Sequence, residues 1–435
     1  MCIRQRRLPA LLLAATGLLA VGPRLATAQL LGPEIQINSH STNAQGRPAV
    51  AADAAGNFVV VWDGEGQDGS GSGIFGQRFD AAGLPQGSEF QVNTAAASDQ
   101  EIPAVAVDGS GDFVVVWQSY LPSPTWHDVF GQRFDAAGLP QGSEFQVNTY
   151  SPDRQWFPAV AAADAGEFVV IWDSDVYVVV QSYGIAGQLF DAAGAPLGSE
   201  FAVTSDSYDF QGSSTVAADG AGNFVVVWES CVTPFCATRA YGQRFDAGGL
   251  PVGGTFLVDP DVGEYQFDPA LAVDGAGNFV VVWTDPYQEG SYGVFGQRFA
   301  ADGASLGEDF HVNTHTTGAQ RNPAVAADAD GNFLVVWRSQ GQDGSGDGVY
   351  GQRFGAAGQP VGGEFRVNSF TPGDQRYPAV AATGAGNFVV TWESDGQDGS
   401  GLGVFGRRVV AAVFSDGFEA GDVCAWSATV GGPCP

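Results

Sequence analysis

The chain has 435 residues, with 18 basic against 48 acidic side chains, 44% hydrophobic and 12% aromatic residues, and 62 glycines. A net charge of −30 excludes nucleic acid and anionic membrane surfaces as partners, and the hydrophobic content excludes disorder. Many turn formers beside many large β-formers point to an all-β protein with a substantial core.

Residues 1–28 read as a secretory signal peptide. Arg4, Arg6 and Arg7 precede the apolar Leu8–Val21 stretch, and Ala26-Thr27-Ala28 supplies a small-x-small cleavage site. The stretch is short for a membrane anchor, and no other segment is apolar enough to span a bilayer. Removal of the leader leaves 14 Arg, no Lys and a charge of −34, which suits an exported, soluble protein.

Residues 29–411 carry seven copies of one repeat, starting near 48, 103, 158, 213, 269, 323 and 378. Trp62, Trp117, Trp172, Trp228, Trp283, Trp337 and Trp392 mark the register at gaps of 55, 55, 56, 55, 54 and 55. In the first copy four strands are expected. Pro48–Ala52 is inner and Ala-rich, Phe58–Trp62 is buried on both faces, and Ile74–Phe79 and Glu89–Asn93 follow. The turns between them are Asp53–Asn57 and Asp80–Ser88. Four antiparallel strands at this period predict the blades of a β-propeller.

The ends predict how the ring closes. The seventh copy lacks a fourth strand after Arg408, whereas Glu34–Asn38 matches Glu89–Asn93 at a spacing of 55. An N-terminal strand completing the last blade removes both sheet edges. The fold expected is therefore a closed, all-β, seven-bladed propeller of four-stranded antiparallel blades, and a monomer.

The Phe-Gly-Gln-Arg-Phe-Asp and Gly-Asn-Phe-Val-Val-Val-Trp motifs resemble repeats of secreted and surface bacterial propeller proteins, often found beside calcium-binding repeats. The resemblance covers roughly residues 32–410 and implies architecture and an extracellular setting, with no shared activity. Residues 412–435 resemble a short C-terminal motif of exported bacterial proteins and read either as a packing tail or as a sorting tag.

Loops between the second and third strands vary, whereas the other turns barely change, so binding is expected on the loop face. Copies 2 to 5 place Tyr120, Trp126, His127, Tyr177, Tyr183, Tyr287 and Tyr292 there, suited to stacking on a glycan or protein ligand or to packing on the blades. Copies 1, 6 and 7 carry Gly-Gln-Asp-Gly-Ser-Gly. Asp63, Glu65 and Asp68, with Asp343 and Asp347, and Glu393, Asp395 and Asp398, offer hard oxygen ligands for calcium or ordinary turn caps. No other cofactor is indicated. A Gln recurs before each inner strand, from Gln45 to Gln375, either ringing the channel mouth or tying one blade to the next. Arg78 and Glu89 could neutralise each other, a pattern that Leu189 and Thr255 break. Disulfides Cys231–Cys236 and Cys424–Cys434 are expected from proximity.

No catalytic residue stands out. The main expectation is a non-enzymatic binding, adhesion or scaffold module; the alternative is a carbohydrate-active propeller enzyme, a glycosidase or lyase. An enzyme is expected to concentrate acids, Arg and aromatics at the channel mouth, and a binder to spread them over loop tips.

Overall fold

A computed structural model describes residues 30–95, 98–120, 127–149, 153–175, 184–204, 211–232, 237–260, 265–286 and 291–411. The leader, the tail, Cys236, Cys424 and Cys434 lie outside them; Cys231 is buried at the end of a second strand. Among the described residues no helix is long and apolar enough to cross a membrane.

Seven four-stranded antiparallel sheets form a closed propeller. In blade 1 the strands are Gln45–Ala52, Phe58–Glu65, Ser72–Phe79 and Pro85–Gln91, counted from the axis outward. The inner strands of blades 2 to 7 are Gln100–Val107, Gln155–Ala162, Gln211–Ala218, Phe267–Val273, Gln320–Ala327 and Gln375–Gly384, and they touch one another around the axis. Their small Ala side chains permit that approach.

The Phe-Val-Val-Val-Trp run is apolar throughout because each second strand is packed on two sides. Val59 and Val61 join Phe113, Val115 and Trp117 of blade 2, whereas Val60 and Trp62 join Ala381, Val389 and Val404 of blade 7. Each fully buried Val contributes about 1.5–3 kcal/mol, so alternate side chains of one strand bond both neighbouring blades. Glycine in the Phe-Gly-Gln-Arg motif is steric. A Cβ on Gly76 would stand 2.8 Å from Cζ of Phe90, its cross-strand partner.

The expected Asp80–Ser88 turn is shorter than the sequence suggested. It closes at Leu84, whose N–H and carbonyl both bond Asp80, with Gly83 at φ 82°. Gly87 and Ser88 lie inside the outer strand, beside a bulge where the Gln77 amide donates to the Gly87 carbonyl.

Closure is as the spacing predicted. Leu30–Gln36 pairs with Leu402–Val410 as the outer strand of blade 7, with Ile35 opposite Gly406 just as Phe90 faces Gly76. Two further contacts repeat the internal pattern. Val404 N–H donates to Asn38 Oδ1 at 2.8 Å, as Ile74 N–H does to Asn93 Oδ1 at 2.8 Å. Glu34 accepts from Ser369 N–H and Oγ at 2.6 and 2.7 Å, as Glu89 does from Ser39 at 2.6 and 2.8 Å. Glu89 thus clasps the neighbouring blade rather than Arg78, which donates to the Ala136 carbonyl at 2.6 Å. The expected Arg78–Glu89 pair is replaced by two separate ties between blades.

Candidate functional site

Each inner strand opens on a register shift, between Gly46 and Ala49 in blade 1 and at the equivalent place in the others. The residue two places after the recurring Gln carries the extra backbone. It is Arg47, Ile102, Phe157, Ser213, Asp268, Asn322 and Tyr377 in blades 1 to 7, with φ between 48° and 55° at every one. Left-handed backbone at a non-glycine residue costs about 1–2 kcal/mol, more for the β-branched Ile102, and it recurs all round the axis.

At five of the seven bulges the residue after the preceding blade's repeat Trp holds the bulge in place. Ile102 N–H donates to Asp63 at 3.4 Å, Phe157 N–H to Gln118 at 3.2 Å, and Ser213 N–H to Asp173 at 3.0 Å. Asp268 N–H donates to Glu229 at 2.6 Å, and Arg47 N–H to Glu393 at 3.2 Å. At blade 6 the Asn322 N–H bonds the Asp268 carboxyl itself. At blade 7 the acceptor position holds Arg338, which pairs instead with Asp347 at 3.5 Å.

All seven bulge residues line one cavity of about 740 Å³ on the axis. It opens on the face that carries the second-to-third-strand loops, because inner strands begin and second strands end there. Glu101, Gln118, His127 and Trp156 complete its wall. Arg47 lies 3.4 Å from both Asp63 and Glu101. Burial pushes the carboxyls of Asp63, Asp173 and Glu229 up to about 7, and it raises those of Asp268 and Glu393 as well. Arg338 and Arg321 oppose that rise at Asp268. Burial, reinforced by Arg154, holds His127 below the usual imidazole range, and its Nδ1 meets no partner among the described residues. Smaller clefts of about 220 and 190 Å³ lie between blades 1 and 2 and between blades 5 and 6, on the opposite face. Their repetition marks them as features of the frame.

The aromatic loop residues divide. His127 lines the cavity, edge-on to Tyr120 with ring centres 5.2 Å apart, and Tyr120 is exposed at the rim. Tyr292 lies beneath the Arg321 guanidinium at 3.5 Å. Trp126, Tyr177, Tyr183 and Tyr287 fall outside the described residues.

The acids expected around calcium are not brought together. Asp63 and Glu393 belong to the ring of bulge acceptors, and Asp347 bonds Arg376 at 2.8 Å. Glu65 and Asp395 are exposed. Asp68, Asp343 and Asp398 each accept the N–H of the Ser two residues on, at 3.0, 3.1 and 3.0 Å. The preceding Gln67, Gln342 and Gln397 bond the outer-strand Glu89, Glu364 and Glu34 of their blades, so this loop ties a blade together. Among the described residues no group of three or more His, Cys, Asp or Glu side chains is placed to hold a metal ion, although Asp68 Oδ2 and Asp398 Oδ2 are buried without a hydrogen-bond partner.

The sequence reading missed Trp156, Phe157, Tyr377, Glu101, Arg47 and Asp268. The signal was present in the Gln-x-x-Pro frame, whose third position changes in every copy. The recurring Gln does not itself ring the mouth. Gln45 Oε1 accepts from Asn38 at 3.1 Å and its amide donates to the Thr42 carbonyl at 2.8 Å, inside the connection between blades.

No protein-family model matches the chain, and no curated protein matches it. Among solved structures it is similar to a protein of unknown function from Dyadobacter fermentans at 9% identity, with 88% of this chain and 99% of that one covered and a TM-score of 0.52. It also resembles a Hadza microbial sialidase at 10% identity, covering 78% and 73%, with a TM-score of 0.49. A Penicillium chrysogenum α-L-arabinanase matches at 12%, covering 71% and 92%, with a TM-score of 0.47. At such identities the likeness is one of fold. The expectation of a non-enzymatic binding module is nevertheless corrected. Among the described residues, acids, arginine and aromatic rings gather at the channel mouth, the arrangement expected of the enzyme alternative.

Proposed function

We propose that the chain is an exported glycoside hydrolase whose active site is the axial mouth. The observation that carries this reading is the 740 Å³ cavity that joins two carboxyl groups, Glu101 and Asp268, with Arg47 and the rings of His127, Trp156, Phe157 and Tyr377. Glycoside hydrolysis needs one carboxylic acid that keeps its proton and a second, ionised carboxylate.

Asp268 suits the first role, because burial raises its pKa. It gives its proton to the glycosidic oxygen as the bond to the anomeric carbon breaks. Glu101, three blades away across the mouth and paired with Arg47, suits the second. It either attacks the anomeric carbon or takes a proton from the water that does so. In the first case water then gives its hydroxyl to the new reducing end and its proton to Asp268. In the second the water's hydroxyl has joined the anomeric carbon, and the proton held by Glu101 passes to solvent, from which Asp268 is reprotonated.

The test is release of reducing ends from linear arabinan, xylan and polygalacturonate, on parent protein, Asp268→Asn and Glu101→Gln. Each variant should lose at least about 100-fold in kcat. The parent's rate should also fall as pH rises past the raised pKa of Asp268, since the proton donor is then lost. Unchanged rates in Asp268→Asn, or no release by the parent, would refute the reading.

A further inference from the structure

Glycine is the residue that accepts a left-handed backbone without strain, and this chain uses it freely, at Gly56 and Gly83 among other turns. At the mouth, where the same backbone recurs seven times, not one position is glycine. Nearby positions repeat, Gln two places before and mostly Pro directly after, while the strained residue differs in all seven. A frame that needed only the bulge would lose nothing by using glycine. The side chains are therefore kept for what they present to the cavity.

Their order around the axis is not mixed. Tyr377, Ile102 and Phe157 fall with Arg47 in the consecutive blades 7, 1, 2 and 3, whereas Ser213 and Asn322 flank Asp268 in blades 4 to 6. Tyr377 and Phe157 remain 51% and 45% exposed, large rings turned to solvent rather than packed away. One arc thus carries the large apolar side chains beside the Arg47–Glu101 pair, and the other offers hydroxyl, amide and carboxyl groups.

We propose that this bulge position determines specificity, and that its ligand is a neutral glycan. One sugar unit lays its apolar face on the rings of Phe157 and Tyr377 and turns its hydroxyls to Ser213 and Asn322. Neutrality follows from the surroundings. The carboxyls of Glu101 and Asp268 line the mouth, with Asp63, Asp173, Glu229 and Glu393 bonded to its bulges behind them. Arg47 is engaged by Asp63 and Glu101, Arg338 and Arg376 by Asp347, and Arg321 by the face of Tyr292. A uronate would bring its charge up against the Glu101 carboxylate, at a mouth where these guanidinium groups are already engaged rather than open to a bidentate pair with it. This assignment rests on the glycoside hydrolase reading.

The test uses the full chain with Phe157→Gly, Tyr377→Gly and Tyr377→Phe, on arabinan, xylan and polygalacturonate. The glycine variants should melt at the parent's temperature or above, because the strain is relieved, while KM on the neutral polymer rises about tenfold. Tyr377→Phe keeps the ring and should keep KM. Glycine variants with unchanged KM, or with a melting temperature several degrees lower, would overturn the ring as a binding surface while leaving the hydrolase reading intact. Preferred cleavage of polygalacturonate would overturn the neutral ligand alone. Cleavage of none of the three by the parent would overturn both.

Discussion

Ring closure can be tested with a matched pair of substitutions, Asn38→Ala and Asn93→Ala. Both asparagines are 3% exposed and occupy the same place in their blades. Asn38 accepts from Val404 N–H at 2.8 Å and donates to the His40 carbonyl at 2.7 Å and Gln45 Oε1 at 3.1 Å. Asn93 accepts from Ile74 N–H at 2.8 Å and donates to the Ala95 carbonyl at 3.0 Å and Gln100 Oε1 at 2.9 Å. Truncation takes the acceptor from a buried N–H and a donor from a buried amide oxygen in each case. At about 1–3 kcal/mol per stranded group, the expected cost is about 3 kcal/mol for either variant. An unfolding entropy of about 2 cal/mol/K per residue, over roughly 380 residues, converts this to a fall of about 4 °C in Tm. Differential scanning calorimetry of parent and both variants reads it directly. The two shifts should agree, because in a closed ring the first and second blade junctions are physically equivalent. If Asn93→Ala falls and Asn38→Ala stays within about 1 °C of the parent, the N-terminal strand is not docked and the ring is open.

Two further outcomes concern the acids. Burial lifts Asp63, Asp173 and Glu229 to about 7, so the folded chain binds protons that the unfolded chain releases near 4; stability is full on the acid side, declines as pH rises through that window, and levels above it. Asp173→Asn should therefore gain on the parent in urea midpoint between pH 5 and pH 8, and a difference that stays constant refutes the burial argument. For the Gly-Gln-Asp-Gly-Ser-Gly loops, Tm should be the same in saturating calcium and in chelator, since each Asp caps its own loop. A calcium-dependent rise of several degrees would show that these loops do assemble a cation site.

The architecture was legible because its determinants are the residues that do not change. The Trp register, the Phe-Val-Val-Val-Trp runs and the Glu34–Asn38 match each report a packing demand that all blades share. Strand limits were less legible, since the Asp80 turn closes by hydrogen bonds at Leu84 that composition does not reveal. The mouth was missed for the opposite reason. Its residues are the ones that differ between copies, and a reading that follows recurrence passes over them. Loops around Trp126 and Tyr287 drew notice by their variable length, whereas the mouth varies in chemistry at fixed length. Two columns held the information, the residue after each Trp and the second residue after each Gln. That they meet across blade boundaries is a matter of the inner-strand bulge, which neither column encodes by itself.

That bulge also explains how a crowded axis can hold a site at all. Inner strands approach closely enough that small side chains such as Ala49 and Ala51 fit between them, and a Phe or Tyr there would clash. A left-handed residue breaks the strand's alternation and releases one side chain per blade into the mouth, large ones such as Phe157 and Tyr377 included. Its exposed N–H then needs an acceptor, and the residue after the Trp of the preceding blade supplies a carboxylate at Asp63, Asp173, Glu229 and Glu393. The groups that hold the strained frame are thereby the groups whose protons burial retains. Asp268 joins both roles, holding the Asn322 backbone while its own side chain lines the cavity. The bulge at Tyr377 faces Arg338, a side chain with no acceptor to offer, and it carries the more exposed of the two mouth rings. The frame thus offers the bulge no acceptor from the residue after the Trp at one of the rings that the proposed ligand would meet, and the strain that glycine would relieve is retained there.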